Sequence, residues 1–124
     1  MKIVIYLAGI YNLLFALFHV GFWKMFNWDV ELKKLTPDNS AVMQALNVHI
    51  IYYLLFTALV CFVFPAELRN TKLGSVFLLG CSFFWLLRTV LQFILFPVNG
   101  FASILGAFLF FGTGVVLFAL PVFK

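Results

Sequence analysis

Residues 73–96 read LGSVFLLGCSFFWLLRTVLQFILF, and Arg88 is the one charged residue among them. An apolar stretch longer than about 18 residues predicts a helix that spans a membrane, because about 20 residues at a rise of 1.5 Å cross a hydrocarbon core of roughly 30 Å. Three more such stretches lie at about 3–23, 43–64 and 101–121, with short connections between them. The sequence therefore predicts four spans in a single transmembrane domain over residues 1–124.

The composition supports a membrane location. Hydrophobic residues make up 65 % of the 124 residues and charged residues only 10 %, whereas about 25 % of the residues of a soluble domain are charged. This balance excludes a soluble catalytic domain. Cys61 and Cys81 both fall inside spans, which predicts small packing residues rather than a disulfide. The predicted fold is all-α, an integral membrane four-helix bundle with antiparallel up-down topology.

The net charge of +4 comes mostly from basic residues that flank the spans, where lysine and arginine anchor and orient helices. We therefore expect no nucleic-acid partner. An even number of spans places both termini on one side, and that side carries Lys2, Arg69, Lys72 and Lys124. The other side carries Lys24, Lys33 and Lys34 among three acidic residues. The positive-inside rule then predicts a multi-pass protein of the cell membrane with cytoplasmic termini.

The connection after the first span begins with FWKMFNW at 22–28, whose aromatic and basic residues suit the lipid–water interface. The next residues, WDVELKKL at 28–35, fit either a short amphipathic helix on the membrane or an ordinary polar loop. LTPDNS at 35–40 predicts the start of the second helix, with Pro37 in its first turn. The candidate capping residues are Asp38, Asn39 and Ser40.

The remaining connections are short. PAELRNTK at 65–72 predicts a polar connection. PVNG at 97–100 predicts a tight turn, which makes the third and fourth spans antiparallel neighbours. The small residues Ala102 and Gly106 are four positions apart, and we interpret them as a packing pattern of the fourth span.

Polar side chains inside the spans are informative, because they cost free energy in hydrocarbon and usually face the interior of a bundle. Counted at the rise of an α-helix, the polar residues of the first three spans collect near one membrane surface. The predicted ligand-binding residues are Asn12, His19, Trp23, Gln44, Asn47, Trp85, Arg88 and Gln92.

Helical spacing assigns these residues to faces. Trp85, Arg88 and Gln92 are three and four positions apart, so they share one face of the third span. In the second span, Asn47 and His49 point about 200° apart and cannot both face inward. The better candidates for the interior are the small and polar residues Gln44, Asn47, Ala58 and Cys61. The residues then expected to face lipid or a neighbouring protomer are His49, Tyr52, Tyr53 and Phe56.

Arg88 admits two interpretations, since no aspartate or glutamate lies within the four spans to neutralise it. As a structural residue it would bond helix-end carbonyls or reach a lipid phosphate. As a functional residue it would bind an anionic group of a ligand, such as a lipid phosphate, a carboxylate or a haem propionate. We favour the second interpretation. The predicted function is the binding of a lipid-like or small anionic ligand, with membrane lipids as partners.

Three other functions stay open. A homo-oligomer could line a path for a small solute or ion with His19 and Arg88, although the spans offer no carboxylate for proton coupling. A haem protein would use His19 and His49 as axial ligands, with haem as its cofactor, but this would turn Asn47 outward. An enzyme is disfavoured, because the sequence has no HExxH, carboxylate-pair or Cys-x-x-Cys motif. We therefore predict neither catalytic residues nor a metal site.

Several stretches of the chain resemble a group of small, uncharacterised bacterial proteins with four spans. These stretches are LAGIYNLLFALFHVGFWKMFNW at 7–28, QALN at 44–47 and FWLLRTVLQ at 84–92. The resemblance covers most of the chain and implies a four-span fold without an activity. In size and number of spans the chain is also similar to the membrane-associated proteins of eicosanoid and glutathione metabolism. It lacks the basic and acidic motif of their second helix, so the similarity implies no glutathione chemistry.

Overall fold

The computed structural model describes residues 1–97 and 99–123, and these residues form helices and connections without a strand. The α-helices are α1 (Lys2–Val20), α2 (Phe22–Met25), α3 (Trp28–Glu31), α4 (Pro37–Val63), α5 (Pro65–Asn70), α6 (Lys72–Leu95) and α7 (Phe101–Ala119). Two 3₁₀ turns lie at Leu32–Lys34 and Leu120–Val122. The predicted all-α fold is confirmed.

The four long helices, α1, α4, α6 and α7, are long and apolar enough to cross a membrane. They expose large apolar side chains along their length: Leu73 is 80 % exposed, Phe101 79 % and Ile94 68 %. Apolar surface on this scale suits contact with lipid rather than with water. The chain is a multi-pass integral membrane protein, and its long helices are compatible with the predicted four-helix bundle.

The start of α4 corrects one prediction. The helix begins at Pro37 as expected, but none of Asp38, Asn39 and Ser40 caps it. Instead, Oγ1 of Thr36 accepts a hydrogen bond from the backbone N–H of Asn39 at 3.3 Å. Proline occupies the first helical position with its fixed φ, so the capping position falls on the residue before it.

The predicted polar connection at 65–72 is itself helical. Pro65 opens α5, and Leu68 in that helix is buried. The hydroxyl of Thr71 donates to the carbonyl of Glu67 at 2.8 Å and accepts from the N–H of Gly74 at 2.9 Å. Thr71 therefore ends one helix and caps the next.

The turn predicted from PVNG joins α6 to α7. Val98 of this turn lies outside the described residues, and so does Lys124 of the predicted charge balance. Gly100, immediately before α7, has a φ of +84°, a backbone conformation that glycine adopts readily because it has no Cβ.

The segment at 28–35 is helical as far as Lys34, which favours an amphipathic helix over an ordinary polar loop. Trp28 and Leu32 are buried, while Asp29 and Val30 are exposed. Asn27 precedes α3 in the left-handed conformation, with a φ of +51°, and asparagine is one of the few residues that tolerate it. Asn27 therefore separates α2 from α3, and the indole of Trp28 that follows it is buried.

The described residues divide into two compact units. The first unit is Gly9–Leu59, and the second unit consists of the remaining described residues. The prediction of a single transmembrane domain stays a prediction.

Hydrogen bonds between polar side chains and their partners join the helices of the first unit. The bonds run from Asn12 Nδ2 to Thr57 Oγ1 at 2.6 Å, from Asn47 Nδ2 to the His19 carbonyl at 3.0 Å and from Trp23 Nε1 to Gln44 Oε1 at 3.4 Å. Later residues of the α1–α2 segment thus pair with earlier residues of α4. The two helical segments are antiparallel.

In the second unit, α6 and α7 are the neighbouring long helices. The hydroxyl of Ser82 donates to the carbonyl of Val115 at 2.8 Å, and the ring centroids of Phe93 and Phe108 are 4.9 Å apart. Since the later residue of α6 meets the earlier residue of α7, the pair is antiparallel, as the tight turn predicts. Gly114 is buried in α7.

The predicted faces of α4 agree with the observed exposure of its side chains. Asn47, Ala58 and Cys61 are 6 %, 2 % and 0 % exposed, whereas Tyr52 is 67 % exposed. Gln44 and Tyr53 are intermediate, and both His49 and Phe56 are exposed. Cys61 and Cys81 are buried and are not joined in a disulfide, which confirms their prediction as packing residues.

Candidate functional site

Arg88 lies in α6, seven residues before the helix ends at Leu95. At 1.5 Å per residue, this places its Cα roughly 10 Å from that end of the helix. Its Nη1 donates a hydrogen bond to Oε1 of Gln92 at 3.0 Å, one turn further on the same face. The side chain of Arg88 is half-buried.

The guanidinium also lies over two aromatic rings. Its Cζ is 4.2 Å from the ring centroid of Phe111 in α7 and 5.2 Å from that of Phe96. A cation within about 6 Å of a ring centroid is attracted by the negative face of the ring, most strongly where water is excluded. Arg88 therefore links α6 to α7 through Phe111.

The charge of Arg88 has no acidic partner in residues 1–97 and 99–123. The ion pair of this part of the chain joins Lys34 Nζ to Glu31 Oε1 at 2.8 Å, and both of its side chains are exposed. Gln92, which accepts the hydrogen bond of Arg88, is neutral. The guanidinium consequently keeps its full positive charge toward any anion that approaches it.

An open groove of about 490 Å³ adjoins the residues that contact Arg88. Its lining includes Gln92, Pro97, Ser103, Gly106, Phe110 and Phe111. Gln92 and Phe111 thus contact the guanidinium and also line the groove. Gln92 contributes an amide and Ser103 a hydroxyl, while the rest of this set is apolar, so the groove suits a ligand with one polar and one apolar part.

Gly106 corrects the interpretation of the Ala102–Gly106 pattern as a packing site. A Cβ placed on Gly106 would meet no described heavy atom within 4 Å, and both residues are exposed. The small side chain leaves room in the groove instead of admitting a neighbouring helix of the described chain. Small residues four apart are frequent in spans, so this spacing carries little information about contacts.

The structure brings the predicted site residues together in pairs. Within the first unit, Asn47 bonds the carbonyl of His19 and Trp23 bonds Gln44. Asn12, fully buried, bonds Thr57, which is outside the predicted set.

Within the second unit, Arg88 bonds Gln92. Trp85 is 2 % exposed, and its carbonyl accepts a hydrogen bond from Thr89 at 2.7 Å. The assembly of all eight predicted residues into one site stays a prediction.

The two histidines differ in their surroundings. His19 is half-buried, and its ring lies 4.4 Å from that of Phe22, whereas His49 is exposed. In each histidine, Nδ1 bonds the carbonyl four residues earlier at 2.7 Å. Haem binding through His19 and His49 stays a prediction. Within the described ranges, no three histidine, cysteine, aspartate or glutamate side chains are grouped to hold a metal ion.

Two residues that contact the predicted site residues were not predicted from the sequence: Thr57, which bonds Asn12, and Phe111, which lies under Arg88. Thr57 was detectable in part, because it is a polar residue next to the predicted inward stripe of α4. Phe111 was not, since phenylalanines are abundant in this chain, with 18 in all, and no spacing singles out the one that meets Arg88.

Comparison with known proteins adds no family. No protein-family model, no curated protein and no solved structure matches the chain. The chemistry of the site itself is therefore the basis for a function.

Proposed function

We propose that this multi-pass membrane protein binds the anionic group of a lipid-like molecule through the guanidinium of Arg88. The proposal is carried by one observation: a half-buried permanent charge in an apolar helix whose hydrogen-bond acceptor, Gln92, is neutral. Ionisable residues inside membrane spans are rare and usually functional, because their burial costs free energy. A ligand anion would lower that cost by neutralising the charge.

The geometry of arginine favours a phosphate or a carboxylate as the anion. A guanidinium carries five N–H donors in a planar fork, and the bond to Gln92 uses a donor on Nη1. The remaining donors can bind two oxygens of one anion in parallel, a geometry that phosphate and carboxylate groups match. Phe111, 4.2 Å away, covers the flat face of the guanidinium and leaves its edge for the ligand.

The groove beside Gln92 and Phe111 supports an amphiphilic ligand. Its volume of about 490 Å³ is within the usual range for small-molecule sites, and its apolar residues Pro97 and Phe110 would contact hydrocarbon. Membrane lipids are accordingly the partners that we propose. A cell-membrane location, cytoplasmic termini and a homo-oligomer stay predictions.

The proposal is tested by the retention of phosphatidylglycerol, an anionic lipid, in native mass spectrometry of the intact chain released from mild detergent. Arg88→Leu is expected to lower the fraction of lipid-bound protein about tenfold, the effect of losing 1.4 kcal/mol of binding free energy. Arg88→Lys keeps the charge without the fork, so an intermediate loss is expected.

Thr89→Val is the control, because Thr89 follows Arg88 directly and bonds a carbonyl of its own helix. Unchanged retention in Arg88→Leu, with the variant folded, would show that Arg88 is structural. If Arg88→Leu fails to fold, Arg88→Lys decides, and retention equal to that of Thr89→Val would overturn the proposal. A Soret band in the same preparation would identify the anion as a haem propionate.

A further inference from the structure

A second cavity lies in the first unit, where the segment after α1 meets the start of α4. Its volume is about 480 Å³, and its lining includes Trp23, Trp28, Asp29, Lys33, Ser40 and Gln44. All of them belong to Gly9–Leu59, and none contributes to the groove beside Arg88. The cavity combines aromatic rings, both signs of charge and neutral polar groups.

Two tryptophans form adjoining walls of this cavity. The ring centroids of Trp23 and Trp28 are 5.2 Å apart, and the ring planes meet at 71°. Trp28 is 5 % exposed and contacts Phe22 at 5.9 Å, while Trp23 is held by its bond to Gln44. Two indoles set at a steep angle and fixed by their neighbours resemble two sides of the aromatic cages that bind ammonium groups.

The charged residues of this segment sort into two kinds. Glu31 and Lys34 pair with each other at 2.8 Å and do not line the cavity. Asp29 and Lys33 line it, and in the described part of the chain neither forms an ion pair. The cavity therefore presents one free anion and one free cation to a ligand.

The position of the cavity suits a lipid headgroup. The lining residues from Trp23 to Leu35 belong to the connection between the spans Lys2–Val20 and Pro37–Val63, so they lie where the chain leaves the hydrocarbon. Tryptophans concentrate at this depth, in the layer of the headgroups. The ligand met most often there is a phospholipid.

We propose that this cavity binds the zwitterionic headgroup of a phospholipid, with the ammonium group against Trp23, Trp28 and Asp29 and the phosphate toward Lys33. A cation gains from the faces of both indoles and from the carboxylate of Asp29. The opposite charge of Lys33 matches the phosphate of the same headgroup. Phosphatidylethanolamine and phosphatidylcholine share this chemistry, whereas phosphatidylglycerol has the phosphate without the ammonium.

The test uses the intact chain and the matched variants Asp29→Asn and Glu31→Gln, which remove the same charge two residues apart. Native mass spectrometry measures the bound fraction with phosphatidylethanolamine, phosphatidylcholine or phosphatidylglycerol as the added lipid. Asp29→Asn is expected to lower binding of an ammonium lipid about tenfold, and Glu31→Gln is expected to leave it within about twofold. Both side chains are exposed, so neither change threatens the fold.

The headgroup that the cavity recognises is identified by the lipid whose binding is weakened in Asp29→Asn. Losses with both lipids indicate recognition of any ammonium group, and a loss with phosphatidylethanolamine alone indicates hydrogen bonding by a primary ammonium. Equal effects of Asp29→Asn and Glu31→Gln would overturn the proposal. An equal loss of phosphatidylglycerol would overturn it as well, because that lipid carries no ammonium.

Repeating the series in the Arg88→Leu background separates this site from the one proposed above. The difference between Asp29→Asn and Glu31→Gln is expected to persist there, since Arg88 belongs to the second unit. A second matched pair, Lys33→Gln and Lys34→Gln, tests whether Lys33 binds the phosphate of the headgroup. Only the first of these is expected to weaken binding, and equal effects would overturn the assignment of the phosphate to Lys33.

Discussion

The contacts that hold the helices together differ between the first unit and the second unit. In the first unit, polar side chains reach across from one helix to the other, as Asn12 does to Thr57 and Asn47 to the carbonyl of His19. In the second unit, close approach at a small residue adds to a bond of the same kind: Gly74 lies against the backbone of α5, and Ser82 bonds the carbonyl of Val115. Arg88 adds a contact with the Phe111 ring.

This difference bears on where a ligand can bind. Helices in hydrocarbon gain little from the hydrophobic effect, so close packing and interhelical hydrogen bonds hold them together. The asparagines of the first unit already serve such bonds. The hydrogen bond of Arg88 to Gln92 stays within its own helix, so its other donors remain for a ligand. A polar residue in a span therefore indicates function best when its hydrogen-bond donors are not used up in joining two helices.

The largest effect is expected from Gly74→Ala, which tests the contribution of close approach in the second unit. An added Cβ would overlap the backbone of Leu68 and Glu67, and backbone atoms cannot yield as a flexible side chain does. We expect a loss of about 2–3 kcal/mol in the free energy of unfolding, measured by titration with SDS in mixed micelles.

Gly80→Ala is the matched control in the same helix, because a Cβ there would meet nothing within 4 Å. It should be neutral or stabilising by up to about 1 kcal/mol, since alanine is the better helix former. Equal losses in both variants would mean that the contact between Gly74 and Leu68 contributes nothing special.

A smaller loss is expected from Thr57→Val, which tests the polar bonds of the first unit. The variant keeps the shape of the side chain but removes the acceptor of the Asn12 amide, which is fully buried. We expect a loss of about 1–2 kcal/mol in the free energy of unfolding, measured in the same titration.

Thr89→Val serves as its control, because the hydroxyl of this buried threonine bonds the carbonyl of Trp85 in its own helix. Its loss should be roughly 0.5 kcal/mol. If Thr89→Val costs as much as Thr57→Val, the bond between the helices of the first unit has no special weight, and the comparison of the two units fails.

Among the variants that remove a contact between helices, the smallest effect is expected from Ser82→Ala. The variant removes the bond to the carbonyl of Val115, but that carbonyl can still accept the hydrogen bond of its own helix. A loss of about 0.6 kcal/mol is expected, the average for hydrogen bonds between membrane helices.

Ser75→Ala provides the reference, because Ser75 bonds the carbonyl of Thr71 one turn earlier on the same chain segment. The unfolding titration should rank Ser82→Ala as the more costly of the two. The reverse order would show that α6 and α7 are held by apolar packing without help from this bond.

Sequence patterns predicted those features that depend on residues close together along the chain. The four spans follow from runs of apolar residues, and the shared helix face of Arg88 and Gln92, which bond each other in the structure, follows from their spacing of four. The prediction of the residue that caps α4 was wrong, since Thr36 rather than a later residue bonds the N–H of Asn39. Because Pro37 takes the first helical position, the capping position falls on the residue before it.

The amino-acid sequence by itself determined that this protein is helical, spans a membrane and carries an arginine without an acidic residue in its spans. Only the tertiary structure decided that Asn12 meets Thr57, that Arg88 lies over Phe111 and that Trp23 and Trp28 line one cavity. The reason is physical. Hydrophobicity and helical periodicity act over a few residues, whereas the partner of a polar side chain depends on the distance and rotation between helices that are far apart in sequence.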